Sequence, residues 1–327
     1  MSQDKKRVLI TGAAGFLGSH LCDRFLKEGY HVIGMDNLIT GNIKNIEHLF
    51  PSKDFEYYHH DVSRFVHVPG KLDYILHFAS PASPPHYQRL AMETMWVNTL
   101  GLKEAMEFAD TKKARVIFAS TSEIYGDPEF SPQPESYWGN VNTVGPRSCY
   151  DEAKRFGETL IHVHNDKNKT AHGMVRIFNT YGPRMNPNDG RVVINFLVQA
   201  LRGENLSIYG EGKQTRSFCY VDDLIAGITT YAKTNLKEPV NVGNEKEFTI
   251  LELATTVQAI FSEKKLKLDF FDLPKDDPRQ RCPDLTKARQ VLSGWEPKVT
   301  LKEGLLQMIQ WLKAEDLSQL QMAGRPQ

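Results

Sequence analysis

The sequence predicts an α/β protein built on a doubly wound parallel sheet, and three observations support this prediction. Short apolar runs alternate with helical patterns along the first half of the 327-residue chain. This alternation is typical of βαβ units, whose helices cover both faces of a parallel sheet. Three regularly spaced glycines separate the first predicted strand from the first predicted helix. After Tyr181 the predicted elements become shorter, which indicates a second region.

Strands and helices alternate regularly up to residue 178. The predicted strands are 8–11, 31–36, about 55–59, 74–77, 115–119 and 173–178, and the predicted helices are 16–28, about 90–109 and 150–165. Residues 182–190 are rich in Pro, Gly and Asn and are expected to form a loop. Helices then follow near 192–201, 222–234, 250–261 and 301–313, with short strands at 206–209 and 240–242. The residues from about 316 onwards are expected to form a frayed tail.

Composition and charge exclude several classes of function. Lys+Arg and Asp+Glu are equal at 40 each, so no nucleic-acid partner is expected. The four cysteines lie far apart, which favours reduced thiols in a cytosolic protein over a zinc site or a disulfide framework. The pairs His59/His60 and His162/His164 have the wrong spacing for a metal site, and no metal is expected. No apolar run reaches the roughly 18 residues of a membrane span, and the N-terminus leaves no room for a signal peptide, so a cytoplasmic protein without a membrane partner is expected.

A glycine-rich turn joins the first predicted strand to the first predicted helix. Gly12 permits a tight turn, Gly15 lets the backbone approach a pyrophosphate, and Gly18 lets the helix pack closely on the strand. The helix N-terminus adds free N–H groups and a partial positive charge, both of which favour phosphates. The position of the GxxGxxG pattern at this junction therefore predicts a Rossmann-type domain that binds a dinucleotide.

The end of the second predicted strand indicates which dinucleotide binds. Asp36 lies eighteen residues after Gly18, where a carboxylate accepts hydrogen bonds from the adenosine ribose and repels a 2′-phosphate. The next residue is Asn37 and not an arginine, so NAD is favoured over NADP. Asp61 and Val62 follow the third strand and are expected to border the adenine, although a surface aspartate in a loop explains Asp61 equally simply.

Tyr150 and Lys154 are the candidate catalytic pair. They lie four residues apart on a predicted helix and therefore share one face. A neighbouring ammonium favours the phenolate and is expected to lower the pKa of Tyr150 from its usual value of about 10. The lysine can also hold the nicotinamide ribose. Thr121 and Glu123, at the end of the predicted strand 115–119, complete the group.

With these motifs the chain resembles the extended short-chain dehydrogenase/reductase family from residue 7 to about 313. In that family a Ser or Thr after the strand, the Tyr and the Lys form the catalytic group, which implies Thr121, Tyr150 and Lys154 here. The resemblance also implies an NAD-binding Rossmann domain at 7–182, to which about 219–243 return, and a smaller C-terminal α/β domain at 183–315 that binds a nucleotide sugar. A homodimer through the helices near 90–109 and 150–165 is expected from the same resemblance.

Three reactions of this family begin with hydride removal from carbon 4 of the sugar: epimerisation, 4,6-dehydration and decarboxylation. The dehydratases carry Thr-Asp-Glu at the turn, and Ser122 replaces their acidic residue here. A serine is a much weaker acid, so dehydration is disfavoured. Simple epimerases usually lack an acidic third residue, whereas Glu123 is present and is expected to manage a proton at carbon 5. The alternative is that Glu123 only hydrogen-bonds the loop.

Further segments resemble the family members that decarboxylate UDP-glucuronate. They are residues 77–87, 120–127, 145–154, 176–184 and 188–193. The Ser-Pro-Ala-Ser-Pro-Pro run at 80–85 is the most specific, and Phe78, where leucine is more usual, is a small departure. The resemblance implies conversion of UDP-glucuronate to UDP-xylose, with carbon 4 oxidised and then reduced again by the same bound NAD. The alternatives are a UDP-sugar 4-epimerase and a catalytically silent NAD-binding interaction protein.

The resemblance also implies a set of binding residues. The expected cofactor residues are Gly12, Gly15, Phe16, Leu17, Gly18, Asp36, Asn37, Asp61, Val62, Phe78, Ser80, Tyr150, Lys154 and Thr180. The expected substrate residues are Tyr87, Glu123, Asn179, Arg191, Tyr209, Gln214 and Arg216. Arg191 and Arg216 suit a diphosphate because a guanidinium can contact two phosphate oxygens at once. Arg281 is expected to reach the sugar as a further catalytic residue, and Arg279 competes with it for that role.

Overall fold

A parallel sheet of seven strands is the main feature of the computed structural model, which describes residues 5–272 and 280–315. The thirteen strands of the described residues are β1 (Arg7–Thr11), β2 (His31–Asp36), β3 (Phe55–His59), β4 (Tyr74–His77), β5 (Arg115–Thr121), β6 (Gly173–Ile177), β7 (Thr180–Tyr181), β8 (Leu206–Tyr209), β9 (Thr215–Ser217), β10 (Cys219–Tyr220), β11 (Val240–Val242), β12 (Glu247–Thr249) and β13 (Leu268–Phe271). The order in the large sheet is β11-β6-β5-β4-β1-β2-β3, and every neighbouring pair is parallel.

Helices cover both faces of this sheet. The helices of the described residues are α1 (Phe16–Lys27), α2 (Pro84–Arg89), α3 (Ala91–Lys112), α4 (Ser148–Asn168), α5 (Val192–Arg202), α6 (Val221–Ala232), α7 (Ile250–Ile260), α8 (Thr286–Val291) and α9 (Leu301–Leu312). Side chains alternate along a strand, so Val8 packs into one core with α1 and α6, while Leu9 packs into another with α3 and α4. This two-faced burial explains why the strands are continuous apolar runs.

The chain returns to the large sheet after leaving it. β11 pairs with β6, and α6 packs against α1, so residues 221–242 complete the edge of the Rossmann-type unit. The segments after β7 also form two small sheets, in which β8 pairs with β13 and β9 pairs with β12. The division of the chain into domains at residue 182 remains a proposal, because one apolar core continues from α1 and α6 into α5, α7 and α9.

The structure differs from the predicted elements mainly in the short ones. No helix was predicted in the proline-rich segment, which was singled out only as a family motif. Helix α2 lies there, with Pro84 and Pro85 in its first turn. Proline is well accommodated there because a first-turn N–H has no intrahelical partner. β5 extends two residues further than predicted, which places Thr121 at the carboxyl end of a central strand. The predicted tail at 316–327 and Arg279 lie outside the described residues. Within the described ranges, no helix is long and apolar enough to span a membrane.

Candidate active site

A cavity of about 1320 Å³ opens along the carboxyl ends of the central strands. Ligands of open α/β sheets bind at this edge, because the loops that follow the strands converge there. A single small ligand occupies roughly 300–1,000 Å³, so this cavity has room for two ligands side by side. All predicted cofactor residues and all predicted substrate residues that the structure describes line it, and Arg279 is the one that lies outside the described residues.

The glycine turn forms one wall of the cavity and fits a pyrophosphate. Gly12 has a φ of +73°, and a Cβ atom there would lie 2.8 Å from backbone atoms of Ala79. A Cβ on Gly18 would lie 1.9 Å from the carbonyl oxygen of Gly12. Gly15 is the N-cap of α1 and has no side chain of its own to bind the first helical N–H groups. Those N–H groups therefore remain available to an anion.

Asp36 closes the adenosine end of this wall. Its carboxylate accepts hydrogen bonds from the backbone N–H of Ala14, at 2.9 Å, and of Leu38, at 2.7 Å. Burial raises the pKa of Asp36, and the two N–H donors partly oppose that shift. Part of the carboxylate's hydrogen-bonding capacity is thus used to hold the glycine turn. A carboxylate oxygen has more than one lone pair, so the predicted ribose contact is compatible with these bonds.

Tyr150, Thr121 and Lys154 meet at the centre of the cavity. The Thr121 side chain hydrogen-bonds the Tyr150 phenol. The Lys154 ammonium donates to the carbonyl oxygen of Ala119 at 2.6 Å and lies 5.5 Å from the centroid of the Tyr150 ring. The trio predicted from YxxxK and the strand end is therefore assembled by β5 and α4.

The predicted direction of the pKa shift at Tyr150 is wrong for the chain alone. Burial raises the pKa of Tyr150, and the hydrogen bond from Thr121 opposes this only in part. Burial also lowers the pKa of Lys154 to about 7, so near neutral pH its ammonium is partly deprotonated. A lysine with a reduced positive charge cannot stabilise the phenolate as strongly as an exposed ammonium would. Tyr150 is therefore a protonated hydroxyl donor in this state.

The ring of Tyr87 stacks on the ring of Tyr150, with centroids 5.1 Å apart and planes inclined by 12°. Tyr87 is 1% exposed, and its hydroxyl has no hydrogen-bond partner among the described residues. Burial raises the pKa of this hydroxyl well above its usual range. Tyr87 was expected to contact the substrate, and its position under Tyr150 instead favours a role in orienting the catalytic ring.

Glu123 lies between two arginines beside Tyr150. Its carboxylate accepts a hydrogen bond from Arg147 on one side and lies 2.7 Å from an Nη of Arg281 on the other. Burial by itself would raise the pKa of Glu123, but the two guanidinium groups outweigh it and lower the pKa to about 2. Glu123 is thus ionised at neutral pH and has no proton to donate, which limits the predicted role in proton management at carbon 5.

Arg281 reaches this cluster from the far end of the chain. It is 2% exposed, and its guanidinium also donates to Ser122 Oγ at 3.2 Å and to the carbonyl oxygen of Gly126 at 3.0 Å. Ser122 occupies the position where the dehydratases of the resembled family have an acid. In this chain its hydroxyl accepts a hydrogen bond from an arginine. Arg281 borders the cavity, as the predicted sugar contact requires, but most of its donors already bind the protein.

Asp151 is a buried acid that the sequence did not single out. It follows Tyr150 on α4, and one of its carboxylate oxygens has no hydrogen-bond partner among the described residues. Burial and the nearby charge of Glu123 raise the pKa of Asp151 to about 7, although Arg147 and Arg281 pull it down. Two carboxylates close together cannot both ionise easily, so Glu123 takes the charge and Asp151 retains a proton.

The predicted nucleotide contacts also line the cavity. Arg191 forms a bidentate ion pair with Asp189. In this pair an Nη atom of the arginine lies 2.9 Å from Oδ2 of the aspartate, and Nε contacts Oδ1. Gln214 donates to the carbonyl oxygen of Tyr209 at 2.9 Å, and Arg216 donates to that of Thr215 at 2.8 Å. The residues that line the cavity thus include Asn179, Arg191, Tyr209, Gln214 and Arg216, and Arg191 also interacts electrostatically with Tyr150. Their contacts with a nucleotide stay predictions.

Away from the cavity, His164 meets Asp110 and His172, a grouping that sequence spacing did not indicate. The Nε2 atom of His164 lies 2.9 Å from one Asp110 oxygen, and that of His172 lies 3.4 Å from the other. The Val116 N–H donates to Nδ1 of His172 at 3.1 Å, so the proton of the neutral ring is on Nε2. A protonated nitrogen cannot bind a metal. His164 hydrogen-bonds Asp110, whereas Nε2 of His172 and the facing Asp110 oxygen have no hydrogen-bond partner among the described residues.

Sequence reasoning missed Arg147 and Asp151. Arg147 precedes Tyr150 by three residues, and positions three apart on a helix lie on one face, so this spacing was a usable signal. Asp151 offered no such signal. Its environment is made by Glu123 and the two arginines, which come from other segments of the chain.

The fold and the site define an NAD-binding enzyme of the α/β type. The sequence pattern of the NAD dependent epimerase/dehydratase family matches residues 8–243, and the chain therefore belongs to this family. This membership confirms the predicted Rossmann-type fold and the predicted cofactor.

Particular relatives are more informative than the family alone. UDP-glucuronic acid decarboxylase 1 of Danio rerio is 46% identical over 313 residues, which cover 96% of this chain and 74% of the relative. UDP-glucuronic acid decarboxylase 5 of Arabidopsis thaliana is 47% identical over 304 residues, covering 93% and 88%. Among solved structures, the UDP-glucuronic acid 4-epimerase of Bacillus cereus in complex with UDP-glucuronic acid and NAD superimposes with a TM-score of 0.82 at 28% identity, covering 94% of this chain and 99% of the other. The UDP-glucose 4-epimerase of Thermotoga maritima with UDP-glucose gives 0.84 at 28%, covering 94% and 98%.

Proposed function

We propose that this chain is an NAD-dependent decarboxylase that converts UDP-glucuronate to UDP-xylose. The observation that carries the proposal is the placement of Glu123 and Arg281 beside Tyr150, with Ser122 in place of a dehydratase acid. Two relatives that match 96% and 93% of this chain, at 46% and 47% identity, are UDP-glucuronic acid decarboxylases. That level of identity over more than nine-tenths of the chain supports a shared reaction.

Bound NAD supplies the hydride acceptor for carbon 4 and returns the hydride at the end of the cycle. The residues of the chain handle the protons and the orientation. The Tyr150 oxygen receives the proton of the 4-hydroxyl as carbon 4 becomes a ketone, with Thr121 holding the phenol in place. Because Tyr150 is protonated in the chain alone, groups that approach the phenol when the ligands bind must lower its pKa. Lys154, whose Nζ lies 5.5 Å from the centroid of the Tyr150 ring, would hold the nicotinamide ribose.

The ketone at carbon 4 makes the sugar a β-keto acid. When carbon dioxide leaves, the electron pair of the broken bond moves into the ketone, and carbon 5 then takes up a proton. Glu123 cannot donate that proton at neutral pH, because its pKa is about 2. Its proposed role is electrostatic, and the proton at carbon 5 comes from another donor in the cavity. Reduction of carbon 4 then completes the pentose.

Incubation of the purified protein with UDP-glucuronate and NAD, followed by mass spectrometry, tests this function. A product lighter than the substrate by one carbon dioxide supports decarboxylation, and Tyr150→Phe should lower its rate by about 100-fold or more. The Tyr150→Phe protein should still bind the UDP-sugar, which separates lost chemistry from lost folding. Retention of all six sugar carbons in the product would contradict the proposal.

The same experiment separates the alternatives. The similarity to solved UDP-sugar 4-epimerases is a specific observation that favours a 4-epimerase as the second candidate. An epimerase would give a product of unchanged mass with an inverted carbon 4, which NMR identifies. A catalytically silent NAD-binding protein would return the substrate unaltered.

We also propose that the protein forms a homodimer through α3 and α4. Both helices have large apolar side chains on the surface: Met92, Trp96, Leu100, Phe156 and Val163. Large apolar side chains that are exposed together on two helices packed against each other commonly mark an interface. Light scattering should give twice the monomer mass, and Leu100→Glu combined with Phe156→Glu should give the monomer.

The predicted cytoplasmic location stays a prediction that cell fractionation tests.

A further inference from the structure

The cluster around Glu123 has more positive than negative charge. Arg147 and Arg281 both pair with this one carboxylate, so the three side chains together have a surplus of one positive charge. Asp151 cancels only part of this surplus near neutral pH, because burial and Glu123 raise its pKa to about 7. A partly buried surplus charge next to a cavity is unfavourable unless an anion neutralises it. The cluster is therefore complementary to a ligand that brings a negative charge close to Tyr150.

Arg147 has more unused donors than Arg281. In the described part of the chain, the Arg147 guanidinium makes one hydrogen bond, from one Nη to Glu123, and its buried Nε has no partner. The buried Nε of Arg281 also lacks a partner, but both of its Nη atoms are used, on Glu123, Ser122 and Gly126. An arginine has five N–H donors. Arg147 also lines the cavity and is thus the arginine able to accept a new anionic partner.

The backbone places Arg147 one helical turn before Tyr150. Its carbonyl oxygen accepts the N–H of Tyr150 at 3.0 Å and that of Asp151 at 3.1 Å, so the residue is held rigidly at the start of α4. If Tyr150 takes the proton at carbon 4, the carboxylate on carbon 5 is two bonds from the reacting carbon and within reach of the charges beside Tyr150, which include Glu123. Two like charges would then face each other unless a cation lay between them. Arg147 pairs with Glu123 at this border.

We propose that Arg147 is a specificity-determining residue that binds the carboxylate on carbon 5 of the sugar acid, in competition with Glu123. This inference rests on the function proposed above. The competition has a consequence for the reaction. An arginine that bound only the carboxylate would stabilise the reactant and slow its decarboxylation. As the carboxylate becomes neutral carbon dioxide, Arg147 re-forms its full pairing with Glu123, so its charge is balanced before and after the bond breaks.

The test is a comparison of two ligands on the NAD-loaded protein. UDP-glucuronate and UDP-glucose differ in having a carboxylate or a hydroxymethyl group on carbon 5. Turnover is blocked in the Tyr150→Phe protein, so isothermal titration calorimetry can measure the affinity of each ligand. The quantity compared is the affinity for UDP-glucuronate divided by the affinity for UDP-glucose. Addition of Arg147→Gln should reduce that ratio by roughly 10- to 100-fold, the usual effect of losing a hydrogen bond to a charged group, while UDP-glucose affinity stays within about threefold. Arg24→Gln, an exposed arginine that pairs with Glu28 at the end of α1, is the matched control and should leave the ratio unchanged.

Two further variants keep the inference testable if Arg147→Gln folds poorly. Arg147→Lys retains the charge but not the planar fork and should lose an intermediate part of the preference. Glu123→Gln should retain or increase the preference for UDP-glucuronate, because it frees Arg147, even as turnover falls. The inference would be overturned if Arg147→Lys kept the full preference for UDP-glucuronate over UDP-glucose while Glu123→Gln lost it. If the wild-type protein bound UDP-glucuronate preferentially but released no carbon dioxide, the proposed function would be contradicted. The effect of Arg147→Gln on the binding preference would then still decide whether Arg147 binds the carboxylate.

Discussion

Tyr87 lies directly under Tyr150, and the two rings are within 12° of parallel. The two residues come from α2 and α4, so the stack connects the proline-rich segment to the catalytic helix. A phenol that must exchange a proton with one sugar hydroxyl has to be held in one orientation. The stack, together with the hydrogen bond from Thr121, supplies that orientation.

We expect Tyr87→Leu to lower kcat by about fivefold with little change in KM, because the ring contact, worth about 1 kcal/mol, is lost. Tyr87→Phe is the matched control. It keeps the ring and removes a buried hydroxyl that has no partner in the described chain, so activity should stay near normal and stability should not fall. A large increase in KM for Tyr87→Phe would show instead that the hydroxyl binds the substrate, as the family resemblance implied.

Lys154 should make the stability of the cofactor-free protein depend on pH. Burial lowers its pKa from 10.5 to about 7, so between these values the unfolded chain holds the extra proton. Stability therefore rises with pH across this window, and below about pH 7 the full cost of the buried charge is present. The advantage in stability of Lys154→Met over the wild type should be larger at pH 7 than at pH 10, by about 3 to 4 kcal/mol. Urea denaturation at the two pH values measures this, and an equal difference at both would contradict the burial effect.

Asp151 should produce the opposite dependence. Its pKa is raised from 3.8 to about 7 by burial and by Glu123, so the folded state holds the extra proton between these values. The wild type should then lose stability as the pH rises from about 4 to 7. Asp151→Asn should remove this loss and gain stability relative to the wild type between pH 5 and pH 8.

The same carboxyl offers a direct measurement of the coupling. In Glu123→Gln the neighbouring negative charge is gone, so the pKa of Asp151 should fall, which ¹³C NMR of the aspartate carboxyls can follow. Glu107→Gln, which removes an exposed carboxylate on α3 that pairs with Lys103, is the control. An unchanged Asp151 titration in Glu123→Gln would mean that the two carboxyl groups do not interact.

Gly18→Ala should disrupt the glycine turn. The added Cβ would lie 1.9 Å from the Gly12 carbonyl oxygen, and because this neighbour is backbone the turn itself must move. We expect NAD affinity, measured by fluorescence titration, to fall by about 100-fold or more, since the N–H groups at the start of α1 no longer converge. Gly29→Ala is the comparison, because its Cβ meets nothing within 4 Å while its φ of +84° costs about 1 kcal/mol of stability. It should lower stability without affecting NAD affinity, and equal NAD affinity in both variants would contradict the role of the turn.

Much of the fold could be predicted because the relevant signals are local. The strands at 31–36, 55–59, 74–77, 206–209 and 240–242 have the predicted bounds, since each is an apolar or β-favouring run between turn residues. Helix α2 could not be predicted in this way, because two consecutive prolines usually indicate a loop and are acceptable in a helix only in its first turn. The added strand β13 pairs with β8 across some sixty residues, a relation that no local pattern expresses.

The sequence by itself determined the candidate glycine turn and the Tyr150–Lys154 pair, because the spacing of Gly12, Gly15 and Gly18 and of Tyr150 and Lys154 is set within short stretches of chain. Only the tertiary structure decided how those groups ionise. Burial raises the pKa of Tyr150 and lowers that of Lys154, and the two arginines that keep Glu123 charged come from distant parts of the chain, one of them from beyond residue 280. A pKa depends on desolvation and on charges a few ångströms away, and both are properties of the folded chain.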